Sequence, residues 1–160
     1  MSEKNTVLIG FMGTGKSTVG KTLAKKMGRT LVDIDQRIEE SQKRRIAEIF
    51  ERDGEAAFRR LEKQAIRDAV SALKERGIVI ALEAQPETIY KRVKDSRHRP
   101  LLHSEDVPGE IRRLLALRQP QYDKADLKFT TDDKSGIQVA DEILAKLKEE
   151  ENFEFGKDRF

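Results

Sequence analysis

The chain has 160 residues, of which 38% are charged, and its 32 basic and 29 acidic residues leave a net charge of +3. This length is enough to bury the core of one domain. The absence of cysteine excludes disulfides, thiolate catalysis and thiolate metal sites. No stretch approaches the roughly 18 apolar residues of a membrane span, so we expect a soluble cytoplasmic protein. The basic residues are interspersed with acidic ones, which argues against nucleic-acid binding.

The stretch 10–18, GFMGTGKST, follows a short apolar run at 6–9 and opens a helical pattern at 16–27. It fits the phosphate-binding pattern G-x-x-x-x-G-K-[ST]. Glycine backbone lets successive N–H groups converge on phosphate oxygens, and the following helix adds its positive end. We expect Lys16 to reach the β- and γ-phosphates of a nucleoside triphosphate, and Ser17 to complete the shell of a Mg²⁺ ion. The plainer interpretation is a glycine-rich strand-to-helix turn without a ligand.

The next strand-like run is Thr30–Asp35, TLVDID. In a strand, Asp33 and Asp35 are two residues apart and face the same way. They would stand at the carboxyl edge of a parallel sheet, where ligands gather in open α/β folds. Either aspartate alone could instead cap the helix that follows.

Helical patterns and two more strands occupy the rest of the chain. We predict three helices within 36–76, a buried strand at 78–82, a helix at 87–94, a polar segment at about 95–110, a helix that ends at a Gln119–Pro120 break, a strand at 127–131 and a helix at 136–148. The polar segment has no clear period and suggests a lid, or a plain surface loop. The alternation predicts a three-layer α/β domain over residues 1–150 with a parallel sheet of about four strands, followed by a frayed tail over 151–160.

The blocks GFMGTGKSTVGKTLAKKMG, VDID, IAEIFERDGEAAFRRLE, RPLL and RQPQYDKADLKFTTD, in this order, resemble the shikimate kinase family from residue 6 to residue 147. The resemblance implies a P-loop kinase fold with a lid. It also implies ATP-dependent phosphorylation of the 3-hydroxyl of shikimate, a step of aromatic amino-acid biosynthesis. The implied cofactor is Mg²⁺, with ATP as co-substrate. The expected state is a monomer without nucleic-acid or membrane partners.

The same resemblance implies roles for individual residues. ATP is expected to bind Gly13, Thr14, Gly15, Lys16, Ser17, Thr18 and Arg92, the last packing on adenine. Catalysis is expected from Lys16, Asp35, which takes the proton of the attacking hydroxyl, and Arg99, a lid arginine that swings over both substrates. The acceptor is expected to bind Arg59 and Arg118 through its carboxylate and Asp35 through its hydroxyls, with Glu62 steadying Arg59; the metal is expected at Ser17 and Asp33. Two arginines suit a carboxylate because each guanidinium presents a planar fork of donors.

One segment of the family has no counterpart in this chain. Family members carry a strand that ends in a glycine run of the type VIATGGG, and a further helix, between FRRLE and the strand at 78–82. This chain has no two adjacent glycines. The missing strand normally lies between the second strand and the P-loop strand and lines the shikimate site. The sheet is therefore expected to have one strand fewer than the family.

Three functions remain open from the sequence. The first is an active shikimate kinase with a rebuilt site. The second is a shikimate-kinase-like protein that binds nucleotide with impaired or no catalysis, because the glycine-run strand is absent. The third is a related small-molecule kinase or a nucleotide kinase, although a pair of arginines for a carboxylate argues against a nucleotide acceptor.

Overall fold

The computed structural model describes residues 5–71, 77–95 and 105–157. These ranges contain three strands and seven helices, in the order β1 (Thr6–Gly10), α1 (Lys16–Met27), α2 (Ile34–Gln42), α3 (Ile46–Asp53), α4 (Glu55–Ser71), β2 (Ile78–Glu83), α5 (Pro86–Val93), α6 (Val107–Tyr122), β3 (Leu127–Thr130) and α7 (Gly136–Lys157). No helix in the described ranges is long and apolar enough to cross a bilayer.

The strands form one parallel sheet in the order β1-β2-β3. Ile80 and Leu82 of β2 pack with α1 and α7 on one face, whereas Ala81 packs with α5 and α6 on the other. Successive side chains of a strand point to opposite faces, so this alternation covers the sheet with helices on both sides. The predicted three-layer α/β arrangement is confirmed, as is the buried central strand.

The predicted second strand at Thr30–Asp35 is wrong. Residues 29–33 have no regular structure and α2 begins at Ile34, so the described sheet has three strands instead of about four. Within the described residues, β1 pairs on one side only, with β2. No described strand lies between β1 and this segment, and an extended segment without a ladder partner does not become a strand.

The segment nevertheless stays beside β1. A Cβ placed on Gly20 of α1 would lie 3.2 Å from Leu31 Cδ1 and 3.6 Å from Leu8 Cδ1, so both leucines cover the same turn of α1. Leu31 and Val32 are 42% and 44% exposed. These two apolar side chains are therefore partly in water on the side of β1 that has no strand partner among the described residues.

Two helix ends differ from the prediction. The break at Gln119–Pro120 is wrong, because α6 continues through Pro120 to Tyr122. A proline inside a helix removes one backbone bond and costs about 3 kcal/mol. Burial of Tyr122 offsets this cost, and the Asp123 N–H closes the last turn on the Gln119 carbonyl at 2.9 Å.

The predicted end of the last helix at Lys148 is also wrong, since α7 extends to Lys157. Residues 151–157 of the expected frayed tail are therefore helical, and residues 158–160 lie outside the described ranges. The glutamates and lysines after Leu147 are good helix formers, so the helix continues beyond its last buried contact.

The helices α2, α3 and α4 confirm the prediction of three helices between strands. They enclose an apolar cluster of their own, centred on Ile38, Ile49 and Phe58. The Phe50 and Phe58 rings pack at 4.6 Å between centroids. This cluster holds the face of α4 that carries Arg59.

Burial at the centre of the sheet predicts a large cost for truncation. Ile80 of β2 is 0% exposed, and Ile80→Ala should lower the free energy of unfolding by about 2–5 kcal/mol because it leaves a cavity between the sheet and two helices. Ile137→Ala is the control, since Ile137 is 59% exposed and its truncation should cost less than about 0.5 kcal/mol. Urea unfolding of both variants measures the difference, and equal losses would contradict the described core.

Candidate active site

The phosphate loop joins β1 to α1 in the predicted order of strand, loop and helix. Gly10 ends β1 opposite Leu82 of β2, and a Cβ on Gly10 would lie 2.5 Å from the Leu82 carbonyl oxygen. No side chain fits at that distance, so glycine is required where the loop leaves the sheet. The loop is thereby anchored at the carboxyl edge of the two strands.

The interior of the loop is held by its own polar groups. Thr14 is buried, and both its hydroxyl and its N–H donate to the Phe11 carbonyl, at 2.7 and 3.2 Å. Lys16 Nζ donates to the carbonyls of Gly10 and Phe11 at 2.7 and 3.0 Å. Thr14 therefore supports the loop from inside, and the Lys16 ammonium lies across the loop, next to the first turn of α1.

The first turn of α1 faces outward. Gly15 occupies the N-cap position, no side chain of the described residues caps this end, and the turn contains no acidic residue. Ser17 and Thr18 are exposed there. Uncapped N–H groups and the positive end of the helix macrodipole make this turn suited to an anion such as a triphosphate.

The two predicted aspartates do not lie on a strand. Asp33 is the N-cap of α2, where its Oδ1 accepts the N–H groups of Asp35 and Gln36 at 2.9 and 3.2 Å. Asp35 lies in the first turn of the same helix, and both side chains are exposed. The expectation that they share one face of a strand is wrong, because no strand among the described residues pairs with the segment and holds it extended.

The donor set still fits a magnesium ion. In the described ranges, no group of three or more aspartate, glutamate or histidine side chains is placed so that it could hold a metal ion. Magnesium in kinases is bound through one or two protein oxygens together with substrate phosphates and waters. The exposed Ser17 hydroxyl and the exposed Asp33 carboxylate are oxygens of this kind.

The predicted acceptor residues on α4 are in contact. Arg59 Nη1 donates to Glu62 Oε2 at 2.7 Å, and Arg59 Nε lies 3.7 Å from Glu55 Oε1. The guanidinium carbon stands 5.2 Å from the centre of the Phe58 ring. Arg59 Nε is buried, and no acceptor among the described residues lies within hydrogen-bonding distance of it. Two acidic side chains and a ring thus hold the guanidinium in one orientation.

Helix α6 presents Arg118 and, one turn later, Tyr122. Arg118 is half-buried. Burial raises the pKa of the Tyr122 phenol to about 12, with the charge of Arg59 opposing this shift and the charge of Glu62 reinforcing it. The phenol oxygen, like Arg59 Nε, has no hydrogen-bond partner within the described part of the chain. Tyr122 therefore lies within the electrostatic field of the Arg59–Glu62 pair.

Arg92, the predicted adenine residue, makes three hydrogen bonds near the loop. Nη1 donates to the Gly13 carbonyl and to Thr131 Oγ1, and Nη2 donates to the Thr131 carbonyl. Arg99 and most of the predicted lid fall within 96–104, outside the described residues. The roles assigned to the individual site residues stay predictions.

Sequence reasoning missed Tyr122 and Thr131. The signal for Tyr122 was its position one turn after Arg118 in RQPQY, and the signal for Thr131 was its place at the end of the last strand. Tyr122 also lines a cavity of about 340 Å³ between the loop, the carboxyl ends of β2 and β3, and α6, together with Phe11, Thr14, Glu83, Gln119 and Asp132.

A protein-family model described as shikimate kinase matches residues 12–72 and 67–148. The chain belongs to the shikimate kinase family. Family membership makes it a small-molecule kinase. The shikimate kinases of Thermodesulfovibrio yellowstonii and Geobacter sulfurreducens are 37% and 42% identical to it, over 96% and 91% of this chain and 99% and 92% of theirs.

Solved structures agree with the family. The structure of shikimate kinase from Acinetobacter baumannii in complex with shikimate matches with a TM-score of 0.86 at 31% identity, over 92% of this chain and 94% of that one. The Aquifex aeolicus enzyme matches with a TM-score of 0.72 at 33% identity, over 89% and 95%. A deoxyadenosine kinase from M. mycoides, with a TM-score of 0.52 at 16% identity, shares the fold alone. The P-loop kinase fold is therefore confirmed.

The comparisons also locate the missing segment. The family model matches in two parts that meet at residues 67–72, at the end of α4. The alignment with the T. yellowstonii protein has 174 positions although this chain has only 160 residues. At least some positions of that relative therefore have no counterpart here, as the absence of the glycine run indicates.

Two substitutions of Asp33 distinguish its role as the cap of α2 from its predicted role as a magnesium ligand. Asp33→Asn keeps an oxygen for the α2 cap, whereas Asp33→Ala removes the cap and should lower the free energy of unfolding by about 1 kcal/mol. Both variants remove the carboxylate and should raise the Mg²⁺ concentration needed for half-maximal kinase activity. Thermal unfolding and magnesium titrations of activity test both roles. An unchanged magnesium dependence in Asp33→Asn would leave Asp33 as a helix cap alone.

Tyr122 should make stability fall at alkaline pH. Its folded pKa of about 12 exceeds the ordinary value near 10, so the folded state keeps the phenol proton after the unfolded state has lost it. The stabilisation is complete below pH 10 and should be lost by about 1.4 kcal/mol per pH unit between pH 10 and 12. Tyr122→Phe should show a correspondingly shallower decline in urea unfolding, and parallel declines would contradict burial of the phenol.

Proposed function

We propose that the chain phosphorylates the 3-hydroxyl of shikimate with ATP, as part of aromatic amino-acid biosynthesis in the cytoplasm. Membership of the shikimate kinase family over residues 12–148 is the observation that carries this proposal. The names of the relatives and the shikimate-bound neighbour support the acceptor. The comparisons do not favour the alternative of a nucleotide-binding protein without catalysis.

The donor half is the phosphate loop with the first turn of α1. Gly13 to Thr18 would bind the triphosphate, in part through the uncapped N–H groups of the first turn of α1, and the Lys16 ammonium would exchange its two carbonyl partners for phosphate oxygens. Ser17 and Asp33 would hold Mg²⁺, which neutralises charge on the β- and γ-phosphates when it is bound. These groups stabilise charge that spreads over the oxygens of the transferring phosphoryl group.

The acceptor half is formed by α4 and α6. The fork of Arg59, oriented by Glu62 and Phe58, would bind the carboxylate, and Arg118 would provide the second fork. Asp35 would bind the ring hydroxyls and accept the proton of the attacking hydroxyl. The hydroxyl oxygen then forms a bond to the γ-phosphorus while the bond from that phosphorus to the β–γ bridging oxygen breaks, and ADP leaves. Arg99 would approach from the lid and help exclude water.

We further propose a monomer that binds neither nucleic acid nor membrane. The side of β1 without a strand partner among the described residues is where a second copy would pair, because an unpaired strand edge offers N–H and C=O groups for a new ladder. Sedimentation velocity at micromolar concentration should give a single species of 18.3 kDa, and a concentration-dependent dimer would overturn this part of the proposal.

A coupled assay with ATP, Mg²⁺ and shikimate tests the activity beside calorimetry of nucleotide binding. Turnover that depends on shikimate supports the proposed function. Nucleotide binding without turnover would overturn it in favour of the non-catalytic alternative. Turnover with gluconate or a nucleoside but not with shikimate would reassign the acceptor.

The contacts of Arg59 predict a selective loss of acceptor affinity. Arg59→Lys keeps the charge but loses the planar fork, so the KM for shikimate should rise about 10- to 100-fold while the KM for ATP changes less than about twofold. Arg60→Lys is the matched control, because Arg60 is exposed on the same helix, and it should behave like the original protein. Steady-state kinetics with each substrate varied in turn measures both values. Equal increases in the two KM values would remove Arg59 from the acceptor site.

A further inference from the structure

Arg92 connects three parts of the fold through one guanidinium. It lies at the end of α5, and its Nη1 donates to the Gly13 carbonyl of the phosphate loop at 3.0 Å. The same nitrogen donates to Thr131 Oγ1 at 2.9 Å, and Nη2 donates to the Thr131 carbonyl at 2.7 Å. Hydrogen bonds from a charged donor are stronger than neutral ones, and a paired set fixes the plane of the guanidinium.

The Thr131 end of this connection is rigid. Thr131 is buried, and its N–H donates to the Glu83 carbonyl at the end of β2, at 2.8 Å. Its hydroxyl also lies 3.5 Å from the same carbonyl. Arg92 is therefore anchored to the carboxyl edge of the sheet and not to a free loop.

The Gly13 end is the part of the loop that needs support. Gly13 has φ +77°, a conformation that glycine adopts without strain but does not by itself prefer over others. A Cβ on Gly13 would lie 2.8 Å from Val93 Cγ1, so α5 packs directly on this residue. The bond from Arg92 fixes the carbonyl of Gly13 and with it the plane of the Gly13–Thr14 peptide. The N–H groups of Gly15 and Lys16 follow immediately along the chain.

We propose that Arg92 is a positioning residue of the triphosphate site: it holds the Gly13 peptide so that the following N–H groups converge on the phosphates. This role differs from packing on adenine, because it uses the edges of the guanidinium and leaves its faces available. It rests on the proposed function only in taking a nucleoside triphosphate as the donor. A change at Arg92 therefore weakens the binding of a triphosphate to the loop, whether or not the triphosphate carries a base.

A ligand without a base separates the two roles. Calorimetry with inorganic tripolyphosphate and Mg²⁺ should show at least about tenfold weaker binding to Arg92→Met than to the original protein, because the loop is no longer held in the binding conformation. Arg92→Lys keeps the positive charge but cannot bridge Gly13 and Thr131, so its loss should be nearly as large. Lys91→Met removes a charge from the same turn of α5, where Lys91 is exposed, and should bind within about twofold of the original protein.

Three outcomes would overturn the proposal. Unchanged tripolyphosphate binding by Arg92→Met together with weaker ATP binding would leave adenine packing as its only role. If Arg92→Lys binds tripolyphosphate at the original affinity, the positive charge of Arg92 alone explains its contribution to binding. An equal loss of tripolyphosphate affinity in Lys91→Met would also mean that positive charge alone explains the effect. No acceptor is present in this measurement, so its result does not depend on shikimate kinase activity. Failure of this proposal can therefore be distinguished from failure of the proposed function.

Thr131 provides a second pair of variants should replacement of Arg92 prevent folding. Thr131→Val removes the hydroxyl that accepts from Arg92 and should weaken tripolyphosphate binding about two- to fivefold, whereas Thr131→Ser keeps it and should bind normally. In the kinetic assay, both Arg92 variants and Thr131→Val should raise the KM for ATP and leave the KM for shikimate within about twofold. Equal binding by the two Thr131 variants would contradict the proposed connection.

Discussion

The close pairing of β1 with β2 is the constraint on which the rest of the site depends. Gly10 and Leu82 are partners at the carboxyl ends of the two strands, and their backbones approach so closely that a Cβ on Gly10 would lie 2.5 Å from the Leu82 carbonyl. The phosphate loop leaves the sheet from this point. Thr131, which accepts from Arg92, is held on the same edge through Glu83 of β2. One edge of a short sheet thus places the loop, the end of α5 and the end of the last strand together.

The missing strand changes the other side of that edge. The resemblance to the family implies a glycine-bearing strand between β1 and the segment before α2, whereas β1 has no second partner within the described residues. Adjacent strands are about 4.8 Å apart, so the loss of one strand shifts the flanking residues by a distance of that order. A displacement of about 1 Å already lowers the rate of a reaction, so the flanking helices must hold the substrate-binding residues in place. The helices α2, α3 and α4 form an apolar cluster of their own, which includes Phe58, the ring next to the Arg59 guanidinium. The predicted acceptor residues on α4 are therefore supported by packing between helices.

Local signals accounted for most elements. The bounds of α1 and its glycine C-cap at Gly28, and the buried character of β2, followed from periodicity and composition because their determinants lie within a few residues. The contact between Arg59 and Glu62 was also accessible, since residues three apart on a helix are neighbours. By contrast, Pro120 misled the prediction of α6, because the burial of Tyr122 outweighs a local breaking signal.

The amino-acid sequence by itself determined the strand-loop-helix order of the phosphate site, the family and the residue types available to each substrate, since these depend on chemistry at short spacing. Tertiary structure decided whether TLVDID became a strand and which atoms Arg92 contacts. A strand is half of a hydrogen-bonded ladder, so its existence depends on a partner that the local pattern does not contain. The bond between Arg92 and Thr131 joins residues 39 positions apart, and only the folded sheet brings them within 2.9 Å.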